Sequence, residues 1–193
     1  MSHASDPWSV SSFLFAEFEQ AALRVLDRRR LDLRTAATSR TSVENLWLQR
    51  DLEQELRSRP EITVTAQVSI VVDAKTKIVD LVLAAGEVRL LAELKTILTN
   101  YGQAGKNITQ SRDAIRADLR SLGLRLDEHT WGVALWLAYA VTPERDDLWR
   151  VKHLRPIERD SLNTRRIAKI NVGQAYVYAY LSEASSHAAR LAA

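Results

Sequence analysis

The sequence contains no cysteine, which excludes disulfides and thiolate metal sites. Its four histidines, at 3, 129, 153 and 187, have no zinc-ligand spacing. Glycine (6) and proline (4) are scarce in 193 residues, and no glycine-rich loop that could cradle a phosphate is present. No Ser-His-Asp signature, internal repeat or low-complexity tract is found either. No window reaches the ~18 uninterrupted apolar residues of a membrane span, and the most apolar stretch, Trp131 to Val141, is far shorter. The N-terminus lacks a basic region followed by an apolar run, so no secretory signal is expected. The reading is a cytoplasmic protein with no membrane partner. Charge is nearly balanced, with 27 Lys and Arg against 24 Asp and Glu and a net charge of +3. That balance permits a polyanionic partner without demanding one.

What is present is a chain of 46% hydrophobic residues, long enough to bury one core and read as a single domain, 1–193. An N-terminal amphipathic helix over about 11–31 carries Phe15, Phe18, Ala22, Val25 and Leu26 on one stripe and ends at Arg28-Arg29-Arg30. A polar connector, 32–40, follows. The spacing of Leu48, Leu52 and Leu56 predicts a second helix from Ser42 to Arg59, stopped by Pro60, with Glu44 one turn before the stripe. Glu55 falls on the side shared with Asp51 and Arg59, expected to face water. Ile62 to Val72 alternates as a first strand. After a loop at 99–106, a third helix carries Ile108, Ile115, Leu119 and Leu122 and stops at Gly123. Trp131 to Val141, apolar on both faces, reads as a central strand, with a buried helix as the alternative given its few β-branched residues.

The most informative segment lies between the first strand and the third helix. Two runs rich in Val, Ile and Leu, Lys77–Leu83 and Val88–Lys95, are joined by Ala84-Ala85-Gly86-Glu87 and read as a hairpin. Alternate residues of a strand share a face, so Glu93 and Lys95 point the same way. A two-residue turn at Ala85-Gly86, or a four-residue loop over 84–87, places Asp80 opposite Leu91. Asp80, Glu93 and Lys95 then share one face with Ile78, Val82, Arg89 and Leu91, and Asp80 is a diagonal neighbour of Glu93. The other face holds Val79, Leu81, Leu83, Val88, Leu90, Ala92 and Leu94, interrupted by Lys77 alone. A three-residue loop would break the constellation. Two carboxylates in apolar surroundings resist ionising unless a cation neutralises them. Mg²⁺ suits such a pair because it takes one or two carboxylates and fills its remaining positions with water and phosphate oxygens. Lys95 could orient a metal-activated water or steady developing charge.

Asp80 at the second strand and Glu93-Leu94-Lys95 at the third resemble the motif of the PD-(D/E)XK nuclease superfamily, the restriction-endonuclease-like enzymes. The resemblance covers about residues 42–141, and Val79 stands where the motif's name has proline. It implies an α/β sandwich in which a central mixed sheet of four or more strands is flanked by helices. It also implies Mg²⁺- or Mn²⁺-dependent hydrolysis of phosphodiester bonds, in DNA rather than RNA. Asp80, Glu93 and the Leu94 carbonyl would be metal ligands and Lys95 the catalytic lysine. Glu44 matches a helix acid that often assists the metal. As Thr41-x-x-Glu44 it equally fits a capping box, in which its side chain would satisfy a backbone N–H. Gln110, with Gln103 as an alternative, matches a glutamine that many members place beside the site. Cutting both strands of a duplex would call for a symmetric homodimer.

Arg112, Arg116 and Arg120 form an i, i+4 row on the third helix that could grip a phosphate backbone, or be a solvated face eased by Asp113 and Asp118. Beyond Thr142, in an extension over 142–193, Val172 to Leu181 alternates with Tyr176, Tyr178 and Tyr180 on one face, preceded by Arg165, Arg166 and Lys169. Two other readings remain: a nuclease-like fold that binds nucleic acid without cutting it, and an interaction protein whose tyrosine face forms an assembly. Acid-x-Lys on a strand is also common as an ordinary cross-strand ion pair.

Overall fold

The computed structural model describes residues 7–39, 45–72, 75–99 and 108–186. Its elements are α1 (Pro7–Arg28), α2 (Arg30–Ser39), α3 (Asn45–Arg57), β1 (Thr63–Val72), β2 (Lys75–Ala85), β3 (Val88–Leu98), α4 (Ile108–Gly123) and β4 (Thr130–Val141), then an irregular helical segment over 143–158, β5 (Ser161–Asn171) and β6 (Tyr176–Ala184). The six strands form one mixed sheet in the order β1-β2-β3-β4-β6-β5, parallel between β3 and β4 and antiparallel elsewhere. The crossover through α4 makes the parallel pair, as a strand–helix–strand unit requires. Among the described residues no helix is long and apolar enough to cross a membrane.

Helices cover both faces of this α/β sheet. On one, Leu14, Phe18, Val25 and Leu26 of α1, Leu33 of α2 and the Leu48, Leu52, Leu56 stripe of α3 pack on Leu81, Leu83, Leu90, Ala92, Leu94, Leu135 and Leu137. On the other, Ile115, Leu119 and Leu122 of α4 and Trp149 and Ile157 of the 143–158 segment pack on Leu91, Ile97, Trp136, Tyr178 and Tyr180. β4 is buried on both faces, as its unbroken apolar composition requires.

Three features depart from the expectations of the sequence. The polar stretch expected to connect the first two helices is α2; Leu33 and Ala37, one turn apart, are both buried and give it an apolar edge. Glu55 does not face water: with Asp51 it lines the α1 side of α3, paired with Arg24 and Arg28, while Asp51 takes Arg29. The Arg165, Arg166 and Lys169 cluster belongs to β5, an edge strand whose thin apolar pattern hid it. Its charges divide between the faces. Arg165 pairs with Glu19 and Glu183, while Arg166 and Lys169 lie over Tyr178 and Tyr176 at 5.0 and 3.8 Å from the ring centroids.

The tyrosine face covers its own sheet. Tyr180 stacks on Trp136 at 4.2 Å and accepts a hydrogen bond from Trp149 Nε1, and Tyr178 is fully buried. These two rings are inside the chain and unavailable to a partner.

Gly132 sets how closely α4 rides on β4. A Cβ at this position would stand 3.1 Å from the Cβ atoms of both Ala184 and Leu122 and 3.2 Å from Leu126 Cδ2. Gly132→Ala is therefore expected to destabilise the protein by about 1–3 kcal/mol through overpacking, read as a lowered denaturant midpoint with an unchanged m-value.

Candidate active site

The hairpin β2–β3 has a two-residue turn at Gly86-Glu87, with Ala85 opposite Val88 and Leu81 opposite Ala92. Gly86 takes φ +61°, the left-handed conformation that a tight hairpin requires at its first central position. The turn is one residue later than the one expected at Ala85-Gly86. Because the pairing shifts by two, its parity holds. Continued past the last ladder pair, the register sets Asp80 level with Glu93 rather than diagonal to it.

The ladder stops at that level. Asp80 has no partner in β3 beyond Leu81, and its own Oδ2 accepts the Leu94 N–H at 2.7 Å. A side-chain carboxylate thus replaces a ladder carbonyl where the two strands separate. On the other side of β2, the pairing with β1 skips Gln67 and Asp80 while keeping its offset. Gln67 has φ +54°, which costs a non-glycine residue of order 1 kcal/mol and needs support from its surroundings. Gln49 of α3 supplies it: its Oε1 accepts from Gln67 Nε2 at 2.9 Å, and its Nε2 donates to the Asp80 carbonyl at 3.2 Å.

This irregularity exchanges the faces of both strands. On β2, Leu81 and Leu83 pack under α1 and α3, but Val79 packs under α4. On β1, Ala66 belongs to the first core and Ile70 to the second. Uniform alternation would keep Lys77 on the apolar face. The switch brings it round to join Glu93 and Lys95, and leaves Ile78 half exposed.

Four charges meet there in an alternating ring. Glu93, 2% exposed, has Oε1 3.3 Å from Lys77 Nζ and Oε2 3.8 Å from Lys95 Nζ. Asp118 of α4 has Oδ1 2.6 Å from Lys77 Nζ and Oδ2 3.2 Å from Lys95 Nζ. Burial first, then the Asp118 charge, push the Glu93 carboxyl up to about 7, against relief from the two lysines; Asp80 adds a smaller push. Burial opposes the charged form of Lys95, but Asp118, Glu93 and Asp80 together outweigh it and hold the ammonium above its ordinary pKa. The same two acids, Glu93 and Asp118, act on Arg125, whose Nε and Nη1 are sealed from solvent without a hydrogen bond; burial depresses its pKa.

The structure therefore groups Asp80, Glu93 and Lys95 and adds Lys77 and Asp118. Each addition left a signal. Asp118 occupies a place in the α4 stripe Ile115, Asp118, Leu119, Leu122 that periodicity reserves for an apolar side chain. Lys77 is the one charge interrupting the alternating apolar face of the run Lys77–Leu83. Asp118, expected to ease the arginine row, points to the sheet instead. Asp113 and Asp160 serve the row: Arg112 and Arg116 pair with Asp113, and Arg116 and Arg120 with Asp160. Arg112 also donates to the Lys152 carbonyl at 3.2 Å. Gln110 is exposed in the first turn of α4. Glu44 and Gln103 lie outside the described residues.

The donor set suits a hard divalent cation. Glu93 Oε1 is buried with no hydrogen bond beyond the Lys77 ion pair at 3.3 Å, and Asp80 Oδ2 sits beside the main chain of Leu94. Among the described residues no three His, Asp or Glu side chains form a ready-made ligand group. A Mg²⁺ ion on Asp80, Glu93 and the Leu94 carbonyl would need only two carboxylates, one peptide oxygen and water, which is fewer side chains than that. Compared with protein-family models, curated proteins and solved structures, the chain matches none.

Proposed function

We propose that the protein is a divalent-metal-dependent nuclease of restriction-endonuclease-like architecture that hydrolyses phosphodiester bonds, with DNA as substrate. The reading rests on one observation above all: the Asp80 carboxylate reaches the Leu94 main chain, between Glu93 and Lys95, where β2 and β3 part at the seam of a helix-flanked mixed sheet. The element order, a helix, three antiparallel strands, a helix and a parallel strand, supports it.

In this reading Asp80, Glu93 and the Leu94 carbonyl hold Mg²⁺ or Mn²⁺, which supplies Lewis-acid polarisation of the phosphoryl group and a more acidic water. The residues of the chain do the rest. Leu94 N–H fixes the rotamer of Asp80, and Gln49 fixes the backbone that presents it. Burial of Glu93 on the core side of the ring lowers the local dielectric and strengthens every charge interaction with the phosphate. Lys95, held protonated, donates to the attacking water or to the charge that develops on the non-bridging oxygens. Symmetric cleavage of a duplex calls for two copies of the chain.

One observation favours a second reading, a fold that grips nucleic acid without cutting it. The two lysines already compensate Glu93 and Asp118, so this ring of four charges is balanced by itself. A single assay separates the two. The protein is incubated with supercoiled plasmid, single-stranded DNA and RNA, with Mg²⁺, with Mn²⁺ and with a chelator. Metal-dependent nicking of plasmid is expected. Tight, salt-sensitive binding without nicking in either metal would replace the nuclease with the binding module. Failure to bind any of the three at low salt would remove both.

A further inference from the structure

We propose that Asp118 is a positioning residue of this site: from α4, its carboxylate fixes where the Lys95 ammonium stands beside Glu93. The proposal rests on the nuclease reading for its consequence, but on distances for its content. Lys95 Nζ is 3.2 Å from Asp118 and 3.8 Å from Glu93; Lys77 Nζ is 2.6 Å from Asp118 and 3.3 Å from Glu93. Asp118 is thus the nearer partner of both ammonium groups. Each of its oxygens serves a different lysine, which keeps the two apart.

The need for such a group follows from the chemistry of lysine. A four-carbon stem loses ~1.5–2 kcal/mol of rotamer entropy when held in one place, and a lysine whose site is loose cannot orient a water. Glu93 cannot do the holding alone. It sits two residues away on the same strand, and a carboxylate that ligates a metal ion has given up much of its hold on neighbouring cations. Asp118 comes from a different element and is not adjacent to the Leu94 main chain that Asp80 engages, so it is the acid left to anchor Lys95. Its position carries the same message. A carboxylate at a stripe position, 9% exposed, bears a desolvation cost that leucine would not. That cost is met by direct contact with the two lysines, with the Arg125 charge adding to them, and those lysines are the groups that would face the phosphate.

The test uses the full chain with Asp118→Asn, which keeps shape and one acceptor but removes the charge, and Asp118→Glu, which keeps the charge. With supercoiled plasmid at saturating Mn²⁺, Asp118→Asn is expected to lower kcat by about 10²-fold, the cost of an ångström of misplacement, with KM little changed. Asp118→Glu should recover much of the loss. Independently of activity, the Lys95 side-chain ammonium, assigned in ¹⁵N-lysine spectra by its absence in Lys95→Ala, should be visible in the wild type and in Asp118→Glu and lost in Asp118→Asn. Should Asp118→Asn fail to fold, Asp118→Ser carries the same expectation. A persistent Lys95 ammonium signal in the neutral variant overturns the proposal, as does an unchanged kcat in an enzyme that Lys95→Ala inactivates. If the wild type cleaves nothing yet the ammonium signal behaves as described, the nuclease reading falls and the positioning role stands.

Discussion

Replacing Lys95 with alanine is expected to reduce metal-dependent nicking of supercoiled DNA by about 10²–10³-fold, the usual cost of deleting one preorganised charge stabiliser, with little change in DNA affinity. The asymmetry follows from where the ammonium sits. Lys95 lies between two buried acids, 30% exposed, and it balances charge that the protein itself carries. Affinity for a polyanion comes from many phosphate contacts summed over a surface, so the loss of one inward-facing cation changes it little. The transition state is different, because charge then develops within reach of that group. Binding is measured in Ca²⁺ by gel shift, and cleavage in Mg²⁺ and Mn²⁺ by conversion of supercoiled to open-circle plasmid. Equal loss of both would mean that Lys95 supports the fold or the surface rather than the reaction. Circular dichroism of the variant checks the first of these.

Glu93→Gln is expected to stabilise the metal-free protein above pH 7 while abolishing cleavage. The Glu93 carboxyl titrates at about 7 in the folded chain against an ordinary value of 4.5, first because it is buried and then because of Asp118. Between those two values the native state holds a proton that the unfolded chain has released. Stability therefore falls as pH rises through this window: the contribution of the neutral carboxyl is fully present below pH 4.5 and gone above 7. At pH 8 the wild type bears the whole cost of a buried anion, eased by Lys77 and Lys95. Removing the anion should recover about 1–3 kcal/mol there and much less at pH 5, flattening the profile between them. A divalent ion works in the opposite sense. It binds the ionised carboxylate, so the rise in Tm produced by Mg²⁺ should grow from pH 6 to pH 8 and vanish in Glu93→Gln. A wild-type stability that does not fall between pH 5 and 8 would show that Glu93 is not held neutral. A Mg²⁺ effect that survives in the glutamine variant would move the metal elsewhere.

Much of the site is readable from residue types alone because the relevant rule is local. On a strand, alternation puts Glu93 and Lys95 on one face whatever the rest of the chain does, and an even offset across the hairpin keeps Asp80 with them. The turn lies at Gly86-Glu87 rather than Ala85-Gly86 without cost to that conclusion, since a shift of two residues in pairing preserves the face. The leucine stripe of α3 and the two-sided apolar run of β4 are equally local signals. The edge strand β5, the short helix α2 and the pairing of Asp51 and Glu55 with α1 are not. In each of these, a partner distant in sequence supplies the burial or the countercharge that the segment's own composition does not announce.

Residue order alone dictates the alternating strands, the helical stripes and the shared face of Glu93 and Lys95, because each depends on backbone periodicity within a few residues. Long-range packing is what makes Lys77 and Asp118 complete the cluster. Gln67 in a left-handed conformation, braced by Gln49 from another element, turns β2 over at Asp80 and carries Lys77 across the sheet. The close seating of α4 on Gly132 then lays Asp118 over the same spot. Both effects join residues of different elements, which no periodicity within a single segment can encode.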